Sequence, residues 1–221
     1  MQRDHGYERN GGRDGGVEDI TEIGFFARQL SVALGIPVGA DDLIRLGENA
    51  LFAPAASGLV VRLYRVLDGG AKARRELRTA RALAAHGVAT IAPAHAEPLE
   101  VAGRTATVWE RLDGVAARPT PEAFGALVRD AHAALATLAG DGFGELDPIA
   151  AIDRRIAALE PHAPALVRAL RPARERADEI WSDFESVLPR QVVHGDVHAG
   201  NVLLVDGRAH LLDFDRSQLG P

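Results

Sequence analysis

The sequence predicts an α+β fold of two lobes, in which a small antiparallel sheet precedes a mostly helical second half. Short apolar runs separated by turn residues fill the first half, a pattern typical of a sheet meander. Longer segments with apolar residues at helical spacing fill the second half. The dipeptide Asp113-Gly114 lies where the two patterns meet. We therefore expect a disordered polar tail over residues 1–17, a first lobe over 18–112 and a second lobe over 113–221.

The first lobe is predicted to hold two helices and five strands. Glycines follow the last apolar residue of each helix, which is a typical stop signal. The final two strands pair across a turn at residues 102–104. The predicted helices cover 19–34 and 71–86, and the predicted strands cover 43–46, 50–53, 59–65, 99–101 and 105–109.

The second lobe begins with a helix whose start is marked by Thr120 as its N-cap and by Pro121. Two more helices and three strands follow it. The last two strands flank Asp206-Gly207, and an Asp-Gly pair between apolar runs favours a tight hairpin. The further helices are predicted at 149–159 and 173–188, and the strands at 191–193, 202–205 and 208–214.

Composition excludes several classes of protein. The 221 residues include no cysteine, so disulfide frameworks and thiolate metal sites are absent. No run of eighteen apolar residues and no apolar leader is present, and we expect a cytoplasmic protein with no membrane partner. The net charge of −6 argues against nucleic acid as a partner and suits a cationic small substrate. The basic residues are almost all Arg, with Lys72 as the single Lys.

Two segments near the end of the chain carry the chemistry. Residues 193–201 read VHGDVHAGN, and residues 213–215 read DFD. The hairpin between them folds Asp213 back toward Asn201, and Asp196 lies on the loop before it. Phosphoryl transfer from ATP needs one group that positions the acceptor hydroxyl and two oxygen ligands that hold Mg²⁺. The sequence therefore predicts Asp196 as the catalytic residue and Asn201 and Asp213 as magnesium ligands.

These segments resemble the aminoglycoside phosphotransferase and choline kinase-like family, whose members are small-molecule kinases with the protein-kinase fold. The resemblance runs from about residue 43 to the end of the chain. It implies ATP and Mg²⁺ as cofactors and a hydroxylated small molecule as the acceptor, such as an aminoglycoside-like antibiotic, an amino alcohol or a sugar. It also implies a structural role for His194. Two roles stay open for Asp215, at a second metal or at a turn, and two for His198, in substrate contact or in bracing the loop.

The first lobe supplies the predicted nucleotide contacts. Asn49 belongs to a hairpin, LGENALF, that looks like the loop that covers the nucleotide in this family. Arg62 stands on a strand where protein kinases have Lys, and Glu76 on the next helix is its expected ion-pair partner; the alternative for Glu76 is an exposed charge without a partner. Backbone groups of Glu110 and Leu112 are expected to pair with adenine at the hinge between the lobes.

The resemblance further implies that members of the family continue beyond residue 221 with more helices. We therefore expect an incomplete acceptor site and a last strand with one uncovered face, which would expose apolar residues among Leu211, Leu212 and Phe214. Two other functions stay open. The first is a nucleotide-binding pseudo-enzyme or interaction module without turnover. The second is a metal-dependent hydrolase that uses His194, Asp196, His198 and Asp213 as ligands, which leaves Asn201 and the first lobe unexplained.

Overall fold

Five antiparallel strands form the sheet of the first half in the computed structural model, which describes residues 20–67, 69–115 and 117–221. The strands are β1 Leu43–Leu46, β2 Asn49–Phe52, β3 Leu59–Tyr64, β4 Leu99–Val101 and β5 Arg104–Glu110. Their order in the sheet is β1-β2-β3-β5-β4. The turn predicted at residues 102–104 separates β4 from β5, although Arg104 already belongs to β5. The disordered tail predicted over 1–17 lies outside the described residues.

Two helices accompany this sheet and face different cores. Helix α1, Ile20–Leu34, buries Phe26 and Leu30 against the sheet residues Phe52 and Val61. Helix α2, Gly70–Ala85, instead contributes to a second core that includes residues from the end of the chain. Helix α2 is therefore the element that joins the sheet to the rest of the molecule.

The second half contains three helices and two small antiparallel sheets. The helices are α3 Pro121–Leu135, α4 Pro148–Leu159 and α5 Pro164–Val187, and the strands are β6 Gln191–Val193, β7 Val202–Val205, β8 Arg208–Leu211 and β9 Gln218–Gly220. β6 pairs with β9, and β7 pairs with β8. The predicted α+β class is confirmed by this arrangement. In the part of the chain that the structure describes, no helix is long and apolar enough to span a membrane.

The β7–β8 hairpin has the geometry that Asp206-Gly207 predicts. Val205 pairs with Arg208, so the loop consists of two residues. Both have positive φ, 50° at Asp206 and 77° at Gly207, as a type I′ turn requires. This turn brings the residues after β8 back alongside Asn201, whose carbonyl accepts a hydrogen bond from the Leu212 N–H at 2.9 Å.

Two predictions about the second half are wrong, and one strand was not predicted. Helix α5 begins at Pro164 rather than at residue 173, because Pro172 removes only one backbone hydrogen bond and the helix continues through it. Strand β8 ends at Leu211 rather than at residue 214, since the backbone at Asp213 turns to a positive φ of 66°. Strand β9 gave no recognisable pattern in the sequence.

The expectation that one face of the last strand is uncovered is also wrong for Leu211 and Phe214. Leu211 and Phe214 are both fully buried, and Leu212 is half-buried. They pack in a core with α2 and α3, where Leu77 and Leu135 are also fully buried. Helices that the first half and the middle of the chain supply therefore cover this segment.

Candidate active site

A cavity of about 310 Å³ lies between the β1–β2 hairpin and the loop that follows β6. Most of its lining is polar or charged, and the two sides of the cavity come from distant parts of the sequence. The lining residues are Arg45, Gly47, Glu48, Asn49, Leu51, Arg62, Asp196, His198, Gly200, Asn201, Asp213, Asp215 and Arg216.

Arg62 connects the sheet, helix α2 and the segment after β8. Its Nη1 atom lies 3.0 Å from Oε1 of Glu76 and 2.8 Å from Oδ1 of Asp213. Glu76 is buried, and the Tyr64 hydroxyl donates a hydrogen bond to its other carboxylate oxygen. The ion pair expected between Arg62 and Glu76 is thus present, and the alternative of an exposed, unpaired Glu76 is wrong.

Burial and neighbouring charge set the protonation of this cluster. Burial raises the pKa of Glu76 to about 7, although the Arg62 guanidinium and the Tyr64 hydroxyl act to lower it. Burial acts to lower the pKa of Arg62, but the carboxylates of Glu76 and Asp213 outweigh it and raise that pKa above its ordinary value. Arg62 therefore stays a cation at any physiological pH.

His194 fixes the shape of the loop after β6. Its ring is buried, and Nδ1 accepts a hydrogen bond from the Asp196 N–H at 3.3 Å. The proton therefore lies on Nε2, which donates to the carbonyl of Leu212 at 3.0 Å. Burial lowers the pKa of His194, so the neutral ring that these two bonds need is favoured. His194 thus ties the backbone of Asp196 to the segment that precedes Asp213.

Gly195 permits the close approach of two segments within this loop. Its φ is +79°, a value that L residues rarely adopt, and a Cβ atom there would lie 2.2 Å from the carbonyl oxygen of Arg216. Any side chain at this position would push the loop away from the residues after β8.

Asn201 and His198 complete the loop. The Asn201 side-chain nitrogen donates to the Asp196 carbonyl at 3.0 Å, so its amide oxygen is the atom that can bind a cation. His198 Nδ1 accepts from the Gly200 N–H at 3.0 Å, a contact that favours the bracing role. The backbone at Asp213 is left-handed, which is uncommon for a residue other than glycine; such residues occur in turns and also cluster at active sites.

Most of the predicted site residues meet at the cavity. Asn49, Arg62, Asp196, Asn201 and Asp213 line it, and Glu76 joins them through Arg62.

The predicted hinge residues lie elsewhere, at and beyond the end of β5, and are not among the cavity's lining residues. The Glu110 N–H donates to the carbonyl of Ala92 at 2.9 Å, so only the carbonyl of Glu110 remains for a ligand. Leu112 follows two residues later in the chain.

Two cations at the site were missed by sequence analysis. Arg216 lies with Nε 3.8 Å from Oδ2 of Asp196 and Nη2 3.4 Å from Oε1 of Glu48, so it bridges the two sides of the cavity. The single lysine, Lys72, lies with Nζ 2.9 Å from Oδ2 of Asp215. No signal in the sequence marked either residue, because the partners are far apart along the chain.

The oxygen and nitrogen atoms of the side chains at the site limit which metal ions could bind there. Among the residues that the structure describes, no three His, Cys, Asp or Glu side chains form a group that could hold a metal ion. The hydrolase alternative needed four such ligands and therefore loses its basis in this part of the chain. One carboxylate and one amide oxygen, from Asp213 and Asn201, fit a Mg²⁺ ion that takes its remaining ligands from phosphates and water.

Comparison with known proteins extends these observations. Residues 48–221 match the phosphotransferase enzyme family APH. No curated protein matches the sequence.

Several solved structures share the fold. An amicoumacin kinase in complex with AMP-PNP and Ca²⁺ is 17% identical with a TM-score of 0.58, and the match covers 80% of this chain and 59% of the kinase chain. A thermostable mutant of an aminoglycoside phosphotransferase is 22% identical with a TM-score of 0.56, and the coverages are 88% and 73%. A choline/ethanolamine kinase family protein from Mesorhizobium loti is 23% identical with a TM-score of 0.50, and the coverages are 80% and 59%. These likenesses confirm the protein-kinase-like fold, and the chain spans about three fifths to three quarters of the length of these structures.

Proposed function

Because the chain belongs to the phosphotransferase enzyme family, we propose that it transfers the γ-phosphate of ATP to a hydroxyl group of a small molecule. The family resemblance inferred from the two motifs is confirmed by this membership. One observation supports the proposed reaction most: Asp196, Asn201, Asp213 and the cation Arg62 all line one cavity. Phosphoryl transfer requires these four groups in one place.

Asp196 is the proposed catalytic residue. Its carboxylate orients the acceptor hydroxyl and accepts its proton as the hydroxyl oxygen attacks the γ-phosphorus. The bond from that phosphorus to the β–γ bridging oxygen then breaks, and ADP leaves with the electron pair. The transition state of such transfers is loose, so positioning of the hydroxyl is the main task of this carboxylate.

Asn201 and Asp213 are the proposed ligands of Mg²⁺. Both present hard oxygen atoms, and Mg²⁺ in nucleotide sites commonly binds one or two protein oxygens in addition to phosphates. When bound, the ion neutralises charge on the phosphate oxygens. Arg62, which contacts Asp213 at 2.8 Å, lies close enough to bind the same phosphates.

The first half of the chain is proposed to hold the nucleotide. Glu48 and Asn49 of the β1–β2 hairpin line the cavity, and their backbone N–H groups are proposed to bind the phosphates. Glu76 holds Arg62 in place. The carbonyl of Glu110 and the backbone of Leu112 are proposed to pair with the adenine edge.

The acceptor is proposed to be a small hydroxylated molecule that carries a positive charge, such as an aminoglycoside-like antibiotic or an amino alcohol; a sugar is the neutral alternative. The net charge of −6 favours a cationic acceptor. Structures with the same fold include a GDP and kanamycin complex and a streptomycin and ATP complex of aminoglycoside phosphotransferases. Those ligands belong to those proteins, and they suggest which acceptors to test.

Phosphate transfer is tested with ATP, Mg²⁺ and a panel of acceptors that comprises kanamycin, streptomycin, choline, ethanolamine and glucose. We expect mass spectrometry to detect at least one acceptor that has gained a phosphoryl group. Binding of ATP without transfer to any hydroxyl acceptor would favour the non-catalytic nucleotide-binding module. Release of inorganic phosphate alone, at a rate that acceptors do not change, would contradict the proposal.

A further inference from the structure

Arg62 carries one positive charge, but three carboxylates lie near its guanidinium group. Its Nη1 atom lies 3.0 Å from Glu76, 2.8 Å from Asp213 and 3.9 Å from Oδ2 of Asp215. One guanidinium thus faces three carboxylates, and the side chains of Glu76 and Asp215 are only 2% and 7% exposed. Buried carboxylates in such a group compete for the same cation unless a second cation is present.

Lys72 supplies that second cation. Its Nζ lies 2.9 Å from Oδ2 of Asp215, the same oxygen atom that is 3.9 Å from Arg62. Lys72 lies in the first turn of α2, and Glu76 lies four residues later on the same helix face. Helix α2 therefore places one cation and one anion side by side against the segment from Asp213 to Asp215.

We propose that Lys72 is a positioning residue that neutralises Asp215 and thereby keeps Arg62 directed at Glu76 and Asp213. This role rests on the proposed function, because Arg62 and Asp213 are there the groups that bind the phosphates and the metal. Without Lys72, Asp215 is the nearest uncompensated carboxylate to Arg62 and draws it away from Asp213. Asp215 then acts as the ion-pair partner of Lys72, a role beside the metal and turn roles that the sequence left open.

If Lys72 neutralises Asp215, its substitution should change the affinity for Mg-ATP; if Lys72 only anchors α2, substitution should change stability alone. We expect Lys72→Met to weaken the binding of Mg-ATP about tenfold in calorimetry, less than the loss for a fully buried charge pair, because the Lys72 side chain is partly exposed. Lys72→Arg should keep the affinity. Addition of Asp215→Asn to Lys72→Met should restore much of it, because the unpaired charge is then gone. Arg81→Met, further along α2 and exposed, is the matched control and should bind as the unsubstituted chain does.

Three outcomes of this binding experiment overturn the proposal. The first is a Lys72→Met variant that binds Mg-ATP normally. The second is a melting temperature lowered by Lys72→Met with no change in affinity, which would mean a structural role alone. The third is a double variant that binds as weakly as Lys72→Met or more weakly.

The single lysine also allows a test that needs no nucleotide. Acetic anhydride acylates free amines, and peptide mass spectrometry separates Lys72 from the N-terminal amine. We expect acylation of Lys72 to be severalfold slower in the unsubstituted chain than in Asp215→Asn, because the ion pair withholds the amine. Equal rates would overturn the proposal. If the unsubstituted chain does not bind Mg-ATP, the proposed function fails, and the acylation rates alone then decide whether the Lys72–Asp215 pair exists.

Discussion

At the scale of single residues, Arg62 explains how the site is held together. A guanidinium stays charged when it is buried, and it contacts Glu76 and Asp213 at 3.0 and 2.8 Å. The resemblance to the kinase pattern, in which a Lys stands at the position of Arg62, predicted the pair of Arg62 with Glu76 on the next helix. It could not predict Lys72 or Arg216, because their partners are close only in the folded chain. Arg216 and Glu48, for example, are 168 positions apart.

Substitution of Asp196 should lower turnover without changing the binding of ATP. If it acts on the acceptor hydroxyl in the transition state, Asp196→Ala should lower kcat by about 10³-fold, which is within the range for general acid–base groups. The affinity for ATP should stay the same, since the contact of Asp196 with the proposed metal ligand Asn201 is made by its backbone carbonyl, which alanine keeps.

The control for this prediction is Asp130→Ala, which removes an exposed carboxylate from α3. Steady-state kinetics with the best acceptor and calorimetry with ATP measure the two quantities. An Asp196→Ala variant that phosphorylates any acceptor at the full rate would remove Asp196 from the mechanism.

Glu76 should make stability depend on pH. Its pKa is raised from 4.5 to about 7 by burial, so the folded chain binds more protons than the unfolded chain between these values. The contribution of Glu76 to the free energy of unfolding is therefore present in full below pH 4.5. It decreases as the pH rises through 7, by about 3 kcal/mol in total.

Denaturant unfolding at a series of pH values measures this dependence. Glu76→Gln should remove it, because the amide does not titrate. His194 acts with the opposite sign, since its lowered pKa costs stability as the pH falls, but it is present in both proteins and cancels in their difference. Identical pH profiles for the two proteins would contradict the prediction.

At the scale of secondary-structure elements, short sequence patterns predicted those elements whose interacting residues lie close together in the chain. The hairpin at Asp206-Gly207 could be predicted because its turn residues and apolar strands are adjacent. Strand β9 could not, because Gln218–Gly220 is short and pairs with β6, which lies far away in the sequence. The start of α5 was missed because Pro172 is normally a helix breaker, although this helix continues through it from Pro164 to Val187.

Two glycines with the same backbone conformation should respond differently to alanine. Gly195 and Gly207 have φ values of +79° and +77°, but only at Gly195 does an added Cβ meet another atom, the Arg216 carbonyl oxygen at 2.2 Å. Gly207→Ala should lower the free energy of unfolding by about 1–2 kcal/mol, the cost of a left-handed L residue. Gly195→Ala should cost more and should also lower turnover, since it displaces the loop that holds Asp196.

Chemical denaturation and kinetics on both variants check this prediction. Equal losses of stability, with turnover intact in Gly195→Ala, would show that the loop does not need this close approach.

At the scale of the whole molecule, one core joins the two halves of the chain. Leu77 from α2, Leu135 from α3 and Phe214 from the segment after β8 are fully buried in it. The fold class could be predicted from periodicity, and the family from two motifs, because both are encoded in short segments. The boundary proposed at residue 112 stays a prediction. The cover over Leu211 and Phe214 could not be predicted, because it depends on how distant helices pack.

The central claim is that this cavity binds ATP through Mg²⁺ held by Asp213. The most direct test is calorimetric titration of ATP with and without Mg²⁺, on the unsubstituted chain, on Asp213→Asn and on Asp206→Asn. Asp206 is the matched control, because it is an exposed carboxylate with a similar positive φ of 50°. We predict that Mg²⁺ tightens binding at least about tenfold in the unsubstituted chain and in Asp206→Asn, and that Asp213→Asn loses this gain. Equal affinity with and without Mg²⁺, or a full Mg²⁺ effect in Asp213→Asn, would contradict the account.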